Sequence, residues 1–263
     1  MTNEIKNLID RGALFVVNHS GGKDSQAMMI KLLDIVPRAQ LLVVHATLGR
    51  VEWHGALELA QQQAADAGVP FVVARAIWKD GSAKDFLNMA ERRFAARPEV
   101  PSFPSKSCRT CTSDLKRDPI DREVRRYANE RGIKLIVSCE GLRAQESDDR
   151  AKLEVFAFDK RNSKAGRQVF KWLPIHELST EQVFATIAAA DQAPHWAYAA
   201  GNERLSCVFC IFGSKGDILR GAIARPELFA EYIAMEERTG YTMHMSRKSL
   251  KEIVAEAQQA IAA

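Results

Sequence analysis

Asn18-His19-Ser20-Gly21-Gly22-Lys23-Asp24-Ser25 stands between the apolar run Ala13-Leu14-Phe15-Val16-Val17 and an amphipathic run from Gln26 to Ile35. The order reads as strand, tight glycine turn, helix. Two adjacent glycines let the backbone come close to a ligand and aim successive N–H groups at one point. The N-terminus of the following helix adds the positive end of its dipole there, so the segment is built to hold phosphate. Ser20 and Ser25 add hydroxyl donors and Lys23 a charge. The spacing is not Gly-x-x-x-x-Gly-Lys-Ser/Thr, which excludes a Walker A loop. Asp24 is of a different kind. A carboxylate repels phosphate unless a cation such as Mg²⁺ intervenes, so it either holds that cation through water or caps the helix, and the cap is the preferred reading.

Outward from this turn the chain alternates. Residues 2–12 form a short lead-in helix. Gln40 to Ala46 is a continuous apolar run of the kind a doubly covered parallel strand shows. Glu52 to Ala67 carries apolar residues at helical spacing and stops at Gly68. Phe71 to Ala74 makes a third strand, followed by a helix over Ser82 to Ala96 and an irregular, proline-rich connection to Ser107. A helix over Asp118 to Arg131 has Pro119 at its first position. Lys134 to Cys139 is the fourth strand, 155–158 and 168–172 are two more, and Ser179-Thr180-Glu181-Gln182 has the spacing of a capping box opening a helix to Ala190. Three helices follow Ser214, broken near Arg225-Pro226 and Gly240.

This pattern predicts an α/β fold: a doubly wound, mostly parallel sheet with helices on both faces, plus a C-terminal helical appendage. Residues 1–213 are expected to form a nucleotide-binding domain and 214–263 a helical extension packed on it. Ligands in such sheets sit at the carboxyl ends of the strands, where Ser20–Ser25, Thr47–Arg50 and Ile77–Gly81 fall.

Composition narrows the partners. The 263 residues are 46% hydrophobic and 27% charged, an ordinary globule with a formal charge of +4. That charge is too small to argue nucleic-acid binding for the whole chain. It is concentrated, however: between Arg150 and Lys171 stand Arg150, Lys152, Lys160, Arg161, Lys164, Arg167 and Lys171 against Glu154 and Asp159. A solvated loop is the plainer reading, and a loop facing a nucleic acid the sharper one. No apolar run is long enough to span a bilayer and no signal-peptide core opens the chain, so a cytoplasmic protein is expected.

Five cysteines in such a chain do not read as a disulfide framework. Cys108-Arg-Thr-Cys111 and Cys207-Val-Phe-Cys210 are two C-x-x-C pairs, which together imply four thiolates around one metal centre joining distant segments. Zinc and a [4Fe-4S] cluster both accept that ligand set, and spacing does not separate them. Cys139 at a strand end reads as a core thiol.

Ser20-Gly21-Gly22-Lys23-Asp24-Ser25 resembles, without a mismatch, the PP-loop of the ATP pyrophosphatase superfamily. Cys111 with Lys116-Arg-Asp-Pro119-Ile is similar to the Cys-then-Lys-x-x-Pro-Leu segment of the phosphoadenosine phosphosulfate (PAPS) reductase family. Gly141-Leu-Arg143 through Ser147 to Arg150 resembles its Gly-x-Arg-x-x-x-Ser-x-x-Arg segment, and Pro174-Ile175 its Pro-Ile. The resemblance implies ATP/Mg or a sulfonucleotide bound by Ser20, Gly21, Gly22, Lys23, Asp24 and Ser25, with Arg143 and Arg150 contacting anion and Lys23 and Arg143 as catalytic residues. It also implies a [4Fe-4S] cluster on Cys108, Cys111, Cys207 and Cys210 beside the nucleotide. The first pair departs from the family, whose cysteines are adjacent there, and that keeps zinc open as the alternative.

One departure bears on the reaction. The family's reductases attack sulfur with a cysteine near the C-terminus, and no cysteine follows Cys210 here. The resemblance then implies ATP cleavage to AMP and pyrophosphate with adenylylation of an acceptor, in the service of sulfur transfer from a sulfur-donor protein. Sulfonucleotide reduction with the thiol of a reductant protein is the alternative, and a non-catalytic nucleotide-sensing module with a structural metal is the third reading.

Overall fold

The apolar run after Ala13 becomes the central strand of a six-stranded sheet in the computed structural model, which describes residues 2–262. In chain order the elements are α1 (Asn3–Asp10), β1 (Leu14–Asn18), α2 (Lys23–Ile35), β2 (Leu41–Thr47), α3 (Ala56–Asp66), β3 (Phe71–Arg75) and α4 (Phe86–Ala96). They continue with α5 (Thr110–Thr112), α6 (Asp118–Glu130), β4 (Leu135–Cys139), α7 (Asp148–Ala151), β5 (Phe156–Phe158) and β6 (Gln168–Trp172). The last are α8 (Thr180–Ala189), α9 (Trp196–Ala199), α10 (Lys215–Ala224), α11 (Pro226–Thr239) and α12 (Leu250–Ala262).

The sheet order is β3-β2-β1-β4-β6-β5. β1 pairs in parallel with β2 and with β4, β4 pairs in parallel with β6, and the short edge strand β5 runs antiparallel to β6. Successive residues of a strand face opposite sides, and the core divides accordingly. Phe15 and Val17 of β1 with Leu41 and Val43 of β2 pack on Ile5 and Leu8 of α1 and Met28, Met29 and Leu32 of α2. Leu14, Val16, Leu42 and Val44 pack on the other face with Ala128, Val124 and Tyr127 of α6. Helices therefore cover both faces, as the alternating sequence pattern requires.

The chain forms two compact units. The first comprises Met1–Ala46, Gly55–Ala74 and Ile120–His195 and holds this two-faced core. The second comprises Thr47–His54, Arg75–Pro119 and Trp196–Ala263, around an apolar cluster that includes Trp53, Phe86, Leu115, Phe209, Ile218, Tyr232 and Leu250. Phe86 stacks between Phe103 and Tyr232 there, at 6.2 and 5.7 Å between ring centroids. The C-terminal helices thus share a unit with 47–54 and 75–119, a wider body than the 214–263 segment that the sequence marks out.

Several boundaries differ from expectation; α4 begins at Phe86 and not at Ser82, because Asp85 is its N-cap, and three others also have local reasons. α2 begins at Lys23 and not at Gln26, because Gly22 is its N-cap. α3 begins at Ala56 and not at Glu52, because Gly55 takes φ 92° and breaks the helix there, leaving Trp53 to the second unit's apolar cluster. Ahead of α6 the backbone is already helical from Thr110, with a π-type turn over Ser113–Arg117 just before Pro119. A proline inside a helix lacks the N–H and crowds the preceding turn, and a widened turn relieves both. Among the described residues no helix is long and apolar enough to cross a membrane.

Candidate functional site

The turn after β1 sits in the first unit and is compressed from two sides. Gly21 has φ 74°, and a Cβ built on it would lie 2.3 Å from the carbonyl oxygen of Ala56, the first residue of α3. Gly141, two residues past β4, would place a Cβ 3.1 Å from the backbone carbonyl carbon of Asp24. Only glycine at 21, and glycine best at 141, lets the three backbones converge. Gly22 caps α2 with φ −89° and ψ 160° and offers no side-chain acceptor to the helix, the arrangement in which an anion can take that place.

Within the turn, Ser25 is buried and its hydroxyl donates to the Gly22 carbonyl at 2.9 Å while accepting the Ser20 N–H at 3.2 Å. The Ser20 and Ser25 hydroxyls stand 3.3 Å apart. Lys23 is 5% exposed, and its ammonium lies 3.0 Å from Asp24 Oδ2. The other oxygen of Asp24 accepts from Arg143 Nε at 2.6 Å. Asp24 is therefore no helix cap, as the preferred sequence reading had it. It is a carboxylate neutralised by two cations, so its repulsion of a bound phosphate is offset without a metal ion.

Arg143 is 3% exposed and engaged on all three guanidinium nitrogens: Nε with Asp24, Nη1 with Gln145 Oε1 at 3.0 Å and the Leu178 carbonyl at 3.1 Å, and Nη2 with Thr180 Oγ1 at 3.2 Å. It ties the start of α2 to the segment after β4 and to the opening of α8. Arg150, four residues along from Glu146, is paired with that carboxylate, and its carbonyl accepts from His176 Nε2 at 2.9 Å. That hydrogen bond, with Glu177 beside the ring, raises the His176 pKa above the ordinary histidine value.

The sequence reading passed over His19, Gln26, Gln63 and Gln192. His19 is 2% exposed, and its Nδ1 accepts the Gly21 N–H at 3.0 Å while its Nε2 lies 2.5 Å from Gln63 Oε1. Burial, partly opposed by the Gln63 hydrogen bond and assisted by nearby His45, pulls its pKa down to about 4. Nothing in composition or periodicity separates a buried turn histidine from an exposed one. The only legible signal is its place one residue ahead of the serine.

The four paired cysteines all belong to the second unit. Cys111 and Cys207 both pack against its apolar cluster, and Arg109 lies over the Phe212 ring at 5.4 Å to the centroid, which brings the two C-x-x-C segments together. An isolated bridge pairs Cys207 with Glu52, and the Val208 N–H donates to the Val51 carbonyl at 2.9 Å. Burial pushes the Cys207 thiol up to about 12, with Lys116 opposing and Cys210 and Cys111 adding to the rise. Cys111 is raised by burial too, opposed by Lys116 and increased by Cys210. Three of the four thiols therefore lie within electrostatic reach of one another and of Lys116, while Cys108 is exposed. This donor chemistry suits a soft metal or an iron–sulfur centre. Among the described residues no group of three or more His, Cys, Asp or Glu side chains is gathered as a cage for a metal ion.

The arginines of the basic stretch have internal partners. Asp159 Oδ1 accepts from the Arg161 and Asn162 N–H groups at 3.0 and 3.2 Å and closes the turn. Arg161 pairs with Asp121 at 3.4 Å, and Arg167 is buried and donates to Asn129 at 3.1 Å. Lys160 and Lys164 remain exposed.

The family model of the phosphoadenosine phosphosulfate reductase domain matches residues 15–212. Among curated relatives, an uncharacterized protein of Methanocaldococcus jannaschii is 23% identical over 84% of this chain and 47% of its own length. An uncharacterized protein from the gpa 5' region of Escherichia phage 186 is 31% identical over 51% of this chain and 39% of its own. The chain thus spans about half the length, or less, of these relatives. A solved phosphoadenylyl-sulfate reductase from Candida auris is similar in structure at a TM-score of 0.49 and 14% identity, covering 79% of this chain and 96% of that one. Because the family pattern runs from β1 through the second cysteine pair, the chain belongs to the phosphoadenosine phosphosulfate reductase domain family.

Proposed function

We propose that this protein is a PP-loop enzyme that binds an adenine nucleotide through Ser20, Gly21, Gly22, Lys23, Asp24 and Ser25, cleaves ATP to AMP and pyrophosphate, and adenylylates an acceptor for sulfur transfer. The observation that carries the reading is the glycine turn pressed between Ala56 and the Gly141 segment, ending at a helix N-cap that supplies no side-chain acceptor. Catalysis there is positioning and charge stabilisation of the α-phosphate, by backbone N–H groups and by the Lys23 ammonium. Arg143 acts through Asp24, holding that carboxylate, and with it Lys23, in place. Arg150 reaches an anion only on leaving Glu146. Mg²⁺ would enter with the nucleotide as its counter-ion.

Adenylylation is favoured over reduction of a sulfonucleotide by the thiol inventory. Outside the two pairs, the one cysteine among the described residues is Cys139, wholly buried in the sheet and held protonated by that burial. A thiol attack from this chain would have to draw on the pairs themselves. In this proposal those pairs, Cys108, Cys111, Cys207 and Cys210, hold a [4Fe-4S] centre, with zinc as the competing occupant. Bound there, a cluster would supply a site for sulfur or electron exchange with a donor protein. The chain's own part is to seat the thiolates on the apolar cluster and to set Lys116 against their negative charge. None of the five cysteines is joined in a disulfide, which leaves the two pairs available as ligands.

The test is anaerobically prepared protein given Mg²⁺ and α-labelled ATP, with bulk tRNA, DNA and small thiols as acceptors. AMP and pyrophosphate formation dependent on one acceptor is expected. Sulfite release from PAPS with an added thiol reductant would replace the reading by reduction. Tight nucleotide binding without turnover would replace it by a sensing module.

A further inference from the structure

The amide side chains around the phosphate turn fix one another's orientation. Gln63 Nε2 lies 2.8 Å from Gln192 Oε1 and 3.3 Å from the Gln26 carbonyl, both acceptors. Gln26 Nε2 donates to the same Gln192 oxygen at 3.1 Å and to the Ala193 carbonyl at 3.1 Å. Gln63 must therefore turn its NH₂ toward these groups and its carbonyl oxygen toward His19. An imidazole nitrogen 2.5 Å from a carbonyl oxygen has to be the N–H, so His19 carries its proton on Nε2. The other end demands the same tautomer. The Gly21 N–H can donate to Nδ1 at 3.0 Å only if that nitrogen has its lone pair free.

We infer that His19 is a positioning residue for the phosphate turn: its Nδ1 accepts the Gly21 N–H, and the Gln63–Gln192–Gln26 amides clamp the ring from behind. The consequence is specific. The Gly21 N–H is committed to the imidazole, so the turn presents its phosphate donors from Gly22 onward, and the Gly21 peptide cannot flip. Ser25 Oγ lies 3.4 Å from the same Nδ1 with its proton given to the Gly22 carbonyl, so the Gly21 N–H is the donor that nitrogen takes. The clamp draws on α2 (Gln26), α3 (Gln63) and the segment after α8 (Gln192), three parts of the first unit that sequence separates widely. This inference rests on the reading that the turn holds nucleotide phosphate.

Two measurements test it on the full chain. Two-bond ¹H–¹⁵N correlation of the wild type should show His19 as the Nε2–H tautomer; an Nδ1–H tautomer overturns the proposal without any variant. Calorimetric titration with Mg-ATP then compares His19→Ala and His19→Asn. Asparagine returns an acceptor at the Nδ1 position but loses the Gln63 contact, so both variants should lose similar heat stability. Alanine should weaken ATP binding by about tenfold or more and asparagine by less than about threefold. Equal weakening in the two, or none in alanine, overturns the positioning role and leaves His19 a packing residue. Failure of the wild type to bind ATP or PAPS at all is a different result, and it overturns the phosphate-site reading beneath.

Discussion

Lys23 is nearly enclosed, and Asp24, its ion-pair partner at 3.0 Å, is itself shared with Arg143, so the ammonium can turn to a phosphate without stranding the carboxylate. Lys23→Ala should weaken adenine-nucleotide binding by about 1.5–3 kcal/mol in calorimetric titration, while the thermal midpoint hardly moves. Arg143 is the opposite case. Arg143→Met takes one of its two cations from Asp24 and a donor from Thr180 and the Leu178 carbonyl, and should cost about 2–4 kcal/mol in denaturant unfolding. Lysine should rescue it poorly, because one ammonium cannot meet four acceptors on three sides. His19 gives a pH signature. Its folded-state pKa, about 4, lies below that of the unfolded chain, so the neutral ring's contribution is complete above pH 6.5 and is lost as pH falls toward 4. The loss from this residue is on the order of 3 kcal/mol. His45 on β2 is the titratable neighbour that adds to the shift. Replacement by asparagine should flatten the acid limb of the stability profile between those pH values, and an unchanged limb would show that another group sets it.

At the scale of elements, the strands and most helices were legible because burial on both faces leaves an uninterrupted apolar signature at β1, β2 and β4. The capping box at Ser179 and Gln182 forms as read, with the Gln182 N–H donating to Ser179 Oγ at 3.2 Å. What stayed hidden is where backbones touch. Nothing in the residues around Gly141 announces that the start of α2 lies against it, and the first polar turn of α2 is silent in a hydrophobic pattern. The same is true of charge: Arg143 reads as an anion ligand in a motif but is consumed by internal acceptors. These contacts make the glycines the sharper test of the turn. Gly21→Ala must push Cβ into the Ala56 carbonyl at a positive φ, so a loss of at least about 2 kcal/mol together with lost nucleotide binding is expected. Gly141→Ala meets its neighbour 0.8 Å farther away and should fold, with binding reduced; equal behaviour of the two variants would argue against the convergence of backbones.

For the molecule as a whole, the two cysteine pairs and their meeting were legible from spacing, whereas the extent of the unit that holds them was not, because that unit is assembled from three separated stretches of chain. Protein prepared without oxygen is expected to be brown, with iron and acid-labile sulfide in equal amounts. Cys207→Ser should be colourless and melt at lower temperature, since in the proposed site the thiol would be a ligand and it packs against the apolar cluster. Colourless wild-type protein with one zinc per chain would reassign the site. The interleaving of the units also sets a schedule for the nascent chain. Once Trp172 has left the ribosome every strand of the sheet exists, but Cys111 must wait for Val208, Phe209 and the helices beyond Ser214 before its apolar bed is complete. At the usual pace of synthesis that is a delay of several seconds, in which Phe86, Phe103 and the Cys111 thiol stand uncovered. A burst of oxidant should therefore modify Cys111 more readily in newly made chains than in chains already folded.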